Sequence, residues 1–208
     1  MPTATVLLLA DARFPAGGHA HSGGVEPAHI TGAVTNLSSL ELFLRGRLHT
    51  SGVTAAGLAA AACDSHANWA VLDAEADARM PSPAQRDASR RQGRALLRAV
   101  RAAWPKADYL EHLGHAPHHP VVLGAAAAAA GCTREQAAHI AAYQSLAGPA
   151  SAAVRLLGLD PIAVSAIVAR IAPEIDRIPW EDLPFPSAPN LDILAEVHTT
   201  AEVRLFES

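Results

Sequence analysis

An all-α fold is what this sequence predicts, and three observations predict it. Helix-opening signals recur along the chain, alanine fills the stretches between them, and strand signals are nearly absent. There are few Val/Ile/Tyr alternations and no Asn-Gly or Asp-Gly hairpin turn. With aromatic residues at 4%, the core has to be built from Leu, Val, Ile and Ala. Small side chains let helices approach closely and cost little entropy in a helix. At 208 residues the chain suits a single helical bundle that buries roughly 70% of its unfolded surface. The expected division is an all-α domain over 1–178 and a proline-rich linker with a docking C-terminal tail over 179–208.

Each element has its own signal. Ser38 with Glu41 three places on is a capping-box pattern opening LELFLRGRLHT, in which Leu40, Phe43, Leu44 and Leu48 recur at helical spacing. The run AAGLAAAAC continues after Gly52. Ser82, Pro83 and Gln85 supply a cap, a first-turn proline and a reciprocating side chain. That helix extends to Ala103, because Pro105 forces Trp104 out of the α region. The next begins near His118-His119-Pro120 and ends at Gly131, a residue suited to a left-handed C-cap. Thr133 with Gln136 opens another that reaches Gly148, where Gly148-Pro149 predicts a break before PASAAVRLLG. Asp160 and Pro161 start IAVSAIVARIA, which Pro173 closes. From Pro179 the stretch PWEDLPFPSAPN holds four prolines in twelve residues and reads as an extended linker. After it LDILAEVHTTAEVRLFES returns to apolar spacing. Chain ends are usually frayed and polar, so Leu205 and Phe206 at this end imply docking, either onto the chain's own domain or onto a partner.

Composition removes several function classes. Net charge is −4, and Lys106 is the single lysine. Nucleic-acid binders carry a positive surplus, and a phosphate loop needs a lysine after glycine, whereas Lys106 follows Pro105. The opening MPTATVLLLA lacks a basic n-region and its short apolar run is interrupted by Asp11 and Arg13, so no secretory leader is expected there. VVLGAAAAAAG is too short to span a bilayer. A cytoplasmic protein is expected, with Cys63 and Cys132 as small thiols of a reducing compartment.

Candidate chemistry is sparse. FPAGGHAHSGG, from Phe14 to Gly24, contains the pair His19 and His21, which falls short of the three or four ligands a metal needs. His112, His115, His118 and His119 are the densest histidine group, but Gly114, Pro117 and Pro120 break any common helix, so they read as surface loop histidines. Cys63 reads as core and His66 as solvated. Asp73, Glu75 and Asp77 beside Arg79 read as a solvated face. Ser22 precedes two glycines without a GxSxG elbow, which disfavours a small hydrolase.

The motifs do resemble one family. FPAGGHAHSGGVEPA is similar to the N-terminal signature of the urease accessory protein UreF family, with Pro15, Gly17, Ser22, Gly24 and Glu26 matching. SRRQGRALLRAV, HHPVVLGAAAAAAG, SAAVRLLGLDP and HTTAEVRLFES resemble later segments of that family, in order along nearly the whole chain. His19 stands in place of an aromatic residue, Leu159-Asp160-Pro161 in place of Leu-Gly-Gln, and Glu207 at a commonly basic place. The resemblance implies a non-enzymatic all-α homodimer that binds UreD (also called UreH) and the GTPase UreG. Together they load nickel into apo-urease, and the accessory protein modulates GTP hydrolysis. It implies no cofactor of the chain's own, nickel and GTP being handled by partners. By matched position, Pro15, Gly17, His21, Ser22 and Glu26 become partner-binding candidates at the GTPase-facing surface. Arg155, Arg204, Leu205, Phe206 and Ser208 become candidates for ordering the tail and its interface. The competing expectation is a direct nickel carrier using the His112–His119 group.

Overall fold

A computed structural model describes residues 3–11, 14, 20–201 and 205–206. Ten α-helices and no β-strand are present among them. They are α1 (Thr3–Ala10), α2 (Val25–Ile30), α3 (Leu37–Arg47), α4 (Val53–Ala62), α5 (Trp69–Ala78), α6 (Pro83–Ala103), α7 (His119–Ala129), α8 (Arg134–Leu157), α9 (Pro161–Ile175) and α10 (Pro189–Thr199). A π-helical turn over Leu48–Gly52 joins α3 to α4 without a break, and a 3₁₀ turn over Asp108–Leu113 precedes α7. The fold is all-α, as the sequence predicts. No helix among the described residues is long and apolar enough to cross a membrane.

Two apolar clusters share α4 and α8. One gathers Leu58, Leu96, Leu97, Val100, Val121, Leu123 and Ile140 from α4, α6, α7 and α8. The other gathers Val25, Leu40, Leu44, Leu146, Ile167 and Ile171 from α2, α3, α8 and α9. Alanine content has a direct geometric use here. A Cβ added at Gly124 would lie 2.2 Å from the Ala59 carbonyl and 2.7 Å from the Ala62 Cβ, so α7 and α4 touch backbone to backbone. Only glycine and alanine faces permit that separation.

Several helix ends match the sequence signals. Ser82 caps α6 by accepting from the Gln85 N–H, and α6 ends at Ala103. Thr133 and Gln136 form a reciprocal capping box on α8. The Asp160 carboxylate accepts from the Ile162 N–H at 3.0 Å, so this departure from the family pattern starts α9. Such caps contribute about 1 kcal/mol each.

Other expectations are corrected. The cap of α3 is Asn36, not Ser38: Asn36 Oδ1 accepts from the Ser39 N–H, and the Ser39 hydroxyl accepts from the Asn36 N–H, each at 3.0 Å. Glu41 instead pairs with Arg45 and, at 2.6 Å, with Arg170. The break predicted at Gly148-Pro149 does not occur, since α8 runs through it to Leu157. An interior proline leaves the carbonyl four residues back without its donor. Here that is Ser145, and Arg47 Nε donates to it at 3.2 Å. Pro173 likewise fails to close α9, which continues to Ile175. Buried Ile171, Ile175 and Ile178 anchor this last turn.

The linker is extended but packed. Pro184 and the Trp180 carbonyl fill the space over Gly57 that a side chain would need. Arg79 donates to the Leu183 carbonyl through Nε at 3.3 Å and Nη2 at 3.2 Å. The chain then enters α10, which lies against α2 and α6. Cys63 is buried and Cys132 half-buried, both as free thiols, with the Cys63 thiol donating to the Cys132 carbonyl at 3.5 Å. Burial pushes the Cys63 thiol up to about 11.

Candidate functional site

Of the residues singled out by sequence, Pro15, Gly17, Arg204 and Ser208 lie outside the described residues, as do His19 and Glu207. The others fall into two neighbouring places. Ser22, Glu26, Arg155, Leu205 and Phe206 come together. His21 faces a cavity beside them.

Gly24, at φ 90°, turns the chain into α2, a backbone conformation that glycine adopts freely. The turn sends Ser22 and Glu26 inward, and both are buried. The Ser22 hydroxyl accepts from the Glu26 N–H at 3.4 Å, so it is a helix-start ligand and not an exposed nucleophile. Glu26 Oε1 accepts from the Leu205 N–H at 2.7 Å, and Oε2 from the Phe206 N–H at 2.9 Å. His198 of α10, 2% exposed, lies with Nε2 3.0 Å from the same Oε2. A carboxylate buried in this way needs charge-assisted donors on its oxygens, and the chain's own tail provides two of them. Arg155 of α8 then lies over the Phe206 ring, its Cζ 4.4 Å from the centroid, a cation–π contact. The described tail residues therefore dock on the chain's own N-terminal segment.

His198 was missed in the sequence reading, although it heads the closing HTTAEVRLFES segment. Its register on α10 is invisible until α10 is placed against α2.

The cavity beside this cluster measures about 210 Å³ and is lined in part by His21, Arg47, Ser89, His119, Phe185 and Asp192. Gly23, at φ 59°, faces Pro149: an added Cβ would lie 2.7 Å from the proline Cγ and 3.4 Å from the Arg47 guanidinium carbon. Burial pulls the Arg47 guanidinium down to about 10, still charged at neutral pH. Burial, then the neighbouring His21, pulls His119 down to about 4, so its imidazole is neutral under ordinary conditions.

The histidine group is not one surface loop. His112 and His115 are exposed, His118 is fully buried, and His119 is half-buried at the cavity. His118 Nε2 lies 2.9 Å from Asp77 Oδ1, and Nδ1 lies 3.0 Å from Ser89 Oγ. Asp73 accepts from the His118 N–H at 2.7 Å. The acidic face of α5 is thus partly internal, which corrects its reading as solvated: Asp73 and Asp77 were visible as acids, but their partners lie on α6 and before α7. Asp73, Asp77 and His118 offer ligand atoms within 4.8 Å of one another. Arg90 already bridges both carboxylates, at 2.9 Å and 2.6 Å, so the group is bonded within itself as a clasp of α5, α6 and the α7 start. Ser89 Oγ also accepts from the His119 N–H at 3.2 Å. With both bonds made, the Ser89–His118–Asp77 chain fastens helices together.

Comparison with known proteins gives the family. The sequence model of the UreF family matches residues 34–172. A urease accessory protein UreF of Mycobacterium sp. (strain JLS) is 47% identical over 207 residues, covering 98% of each chain. The protein of that name from Mycobacterium marinum is 46% identical over 208 residues, covering 99% of this chain and 98% of its own. That from Mycobacterium tuberculosis (strain ATCC 25618 / H37Rv) is 42% identical with the same coverage. Matched across two thirds of its length by the family's own pattern and end to end by these relatives, the chain belongs to the UreF family.

Proposed function

We propose that this chain is a non-catalytic urease accessory protein, a scaffold in GTP-dependent nickel insertion into apo-urease. It bridges UreD/UreH and the GTPase UreG as a homodimer and modulates GTP hydrolysis, while nickel and GTP are handled by the partners. The observation that carries this reading is the junction at Glu26, where the N-terminal signature and the C-terminal tail hold one another. A partner that grips the tail thereby acts on α2 and the signature. The polar groups that could suggest catalysis point inward and bond to helix starts and neighbouring helices. Exposed Leu205, with Ile193 and Val197 on α10, supplies the apolar contact a partner would cover.

Co-expression with UreD/UreH, UreG and apo-urease, followed by size exclusion, tests the assignment. The full chain is expected to co-elute with UreD/UreH and recruit the GTPase. Deletion of 190–208, or alanine at Glu26 or Arg155, is expected to abolish or weaken that complex, with helical content retained in the two alanine variants and lowered only by the loss of α10 in the deletion. Wild-type complex formation by all three variants refutes it. The carrier alternative draws no support from the geometry, because the four histidines face different surroundings.

A further inference from the structure

Helix α6 carries six arginines, engaged to different degrees. Arg86 donates to the Met80 and Pro81 carbonyls, and Arg90 bridges Asp73 and Asp77, so both are tied into the chain. Arg91, Arg94, Arg98 and Arg101 follow at intervals of three, four and three, which places them on one face. The opposite face, with Ala88, Gly93, Leu96, Leu97 and Val100, is buried. Arg91, Arg94 and Arg98 are exposed, Arg91 with an interaction of its own, and half-buried Arg101 pairs with Glu111 at 3.2 Å and donates to the Leu110 carbonyl at 3.1 Å. Arg94 and Arg98 have no acidic partner within ion-pair distance among the described residues.

This row extends about 15 Å at 1.5 Å per residue, with no carboxylate inside it; Asp87 lies one turn before its start. Like charges at these spacings weaken a helix. The chain as a whole carries 20 acidic against 16 basic residues, so the row is a positive strip on an acidic molecule. Its width is one helix. Phosphate backbones favour a broad positive field, and stacking on bases needs aromatic side chains, of which α6 has none. Membrane-surface helices insert large apolar groups beside their basic ones, yet α6 exposes no large hydrophobic residue. The strip matches instead a second helix presenting carboxylates at the same spacing, since arginine and carboxylate pair bidentately.

We propose that the outward face of α6 is a docking surface for an acidic α-helical segment of a protein partner, recognised by Arg94 and Arg98, with Arg91 and Arg101 flanking them. This proposal does not rest on the partners assigned above.

Fluorescence anisotropy with the full chain tests it. The probe is a labelled Ala/Gln helical peptide with glutamates at spacings of three, four and three. The comparison peptide has the same composition with glutamates distributed around the helix. Tighter binding of the patterned peptide by about tenfold, weakening with salt, is expected. Arg94→Gln with Arg98→Gln should lose most of that preference, and the double Arg→Lys variant should fall between. Both variants should keep the wild-type circular dichroism, because the side chains are exposed. Equal affinity for the two peptides, or no change in the Gln variant, overturns the proposal. Tighter binding to a DNA duplex or to phosphatidylserine vesicles than to the patterned peptide overturns it in favour of those partners.

Discussion

Replacing Glu26 with alanine tests the junction most directly. The carboxylate is 3% exposed and meets the Leu205 and Phe206 amides and the His198 imidazole at 2.7–3.0 Å. Hydrogen bonds to a charged group contribute about 1.5–3 kcal/mol each, and a buried donor left without an acceptor costs about 1–3 kcal/mol. The simple sum overshoots, because the tail can peel away and return its two amides to water. His198, 2% exposed on α10, has no such escape while α10 stays packed. The expected global loss is therefore about 2–4 kcal/mol, read by urea unfolding followed at far-UV circular dichroism. Hydrogen exchange at Leu205 and Phe206 should accelerate by about 10–100-fold, as about 1.4 kcal/mol corresponds to each factor of ten. Glu26→Gln should lie between, since its NH₂ faces groups that are themselves donors. Unaltered tail exchange and an unaltered urea midpoint in the alanine variant would show that the contact does not hold the tail.

Two further outcomes follow from the scaffold. Arg47→Met should cost about 1–3 kcal/mol in the wild type, and at least about 1 kcal/mol less in a Pro149→Ala background, where an amide returns to the Ser145 carbonyl; additive effects would refute that substitution of donor for donor. His119 is held neutral in the folded chain, its value pulled from 6.5 to about 4, while the unfolded chain takes up the proton. Its contribution is complete above pH 6.5 and is lost as pH falls towards 4, by at most about 3 kcal/mol. His119→Gln should flatten the acid side of the urea-midpoint profile, and a wild-type slope in that variant counts against the assignment.

The helices were legible where a local signal sets them. Ser82-Pro83 and Thr133–Gln136 fix their helix starts through bonds that stay within four residues, so the letters alone suffice. Pro149 misled because its cost is met from 102 residues away in sequence, by a guanidinium on α3. The same holds for the sites. Glu26, Leu205 and Phe206 were legible as members of matched segments, but nothing local says that a carboxylate and two amides 179 and 180 residues downstream are partners. Asp73 and Asp77 present an ordinary amphipathic pattern, and only the packing of α6 across α5 turns them inward onto Arg90 and His118. Legibility ended where pairing became tertiary.

That distinction also bears on how a partner could be sensed. The turn at Gly23 is seated against Pro149, whose place in α8 is held by Arg47, and Arg155 lies six residues further along α8 over Phe206. The signature, the middle of α8 and the tail are thus linked by three contacts of different chemistry: steric fit, a donated N–H to a vacant carbonyl, and a cation over a ring. A partner that lifts Phe206 removes the Arg155 contact and one of the bonds to Glu26 Oε2 together, so the tail and α2 respond as a pair. Coupling of this kind needs no moving catalytic group. It requires a rigid α8, and the proline that should have broken α8 is the residue against which the signature rests.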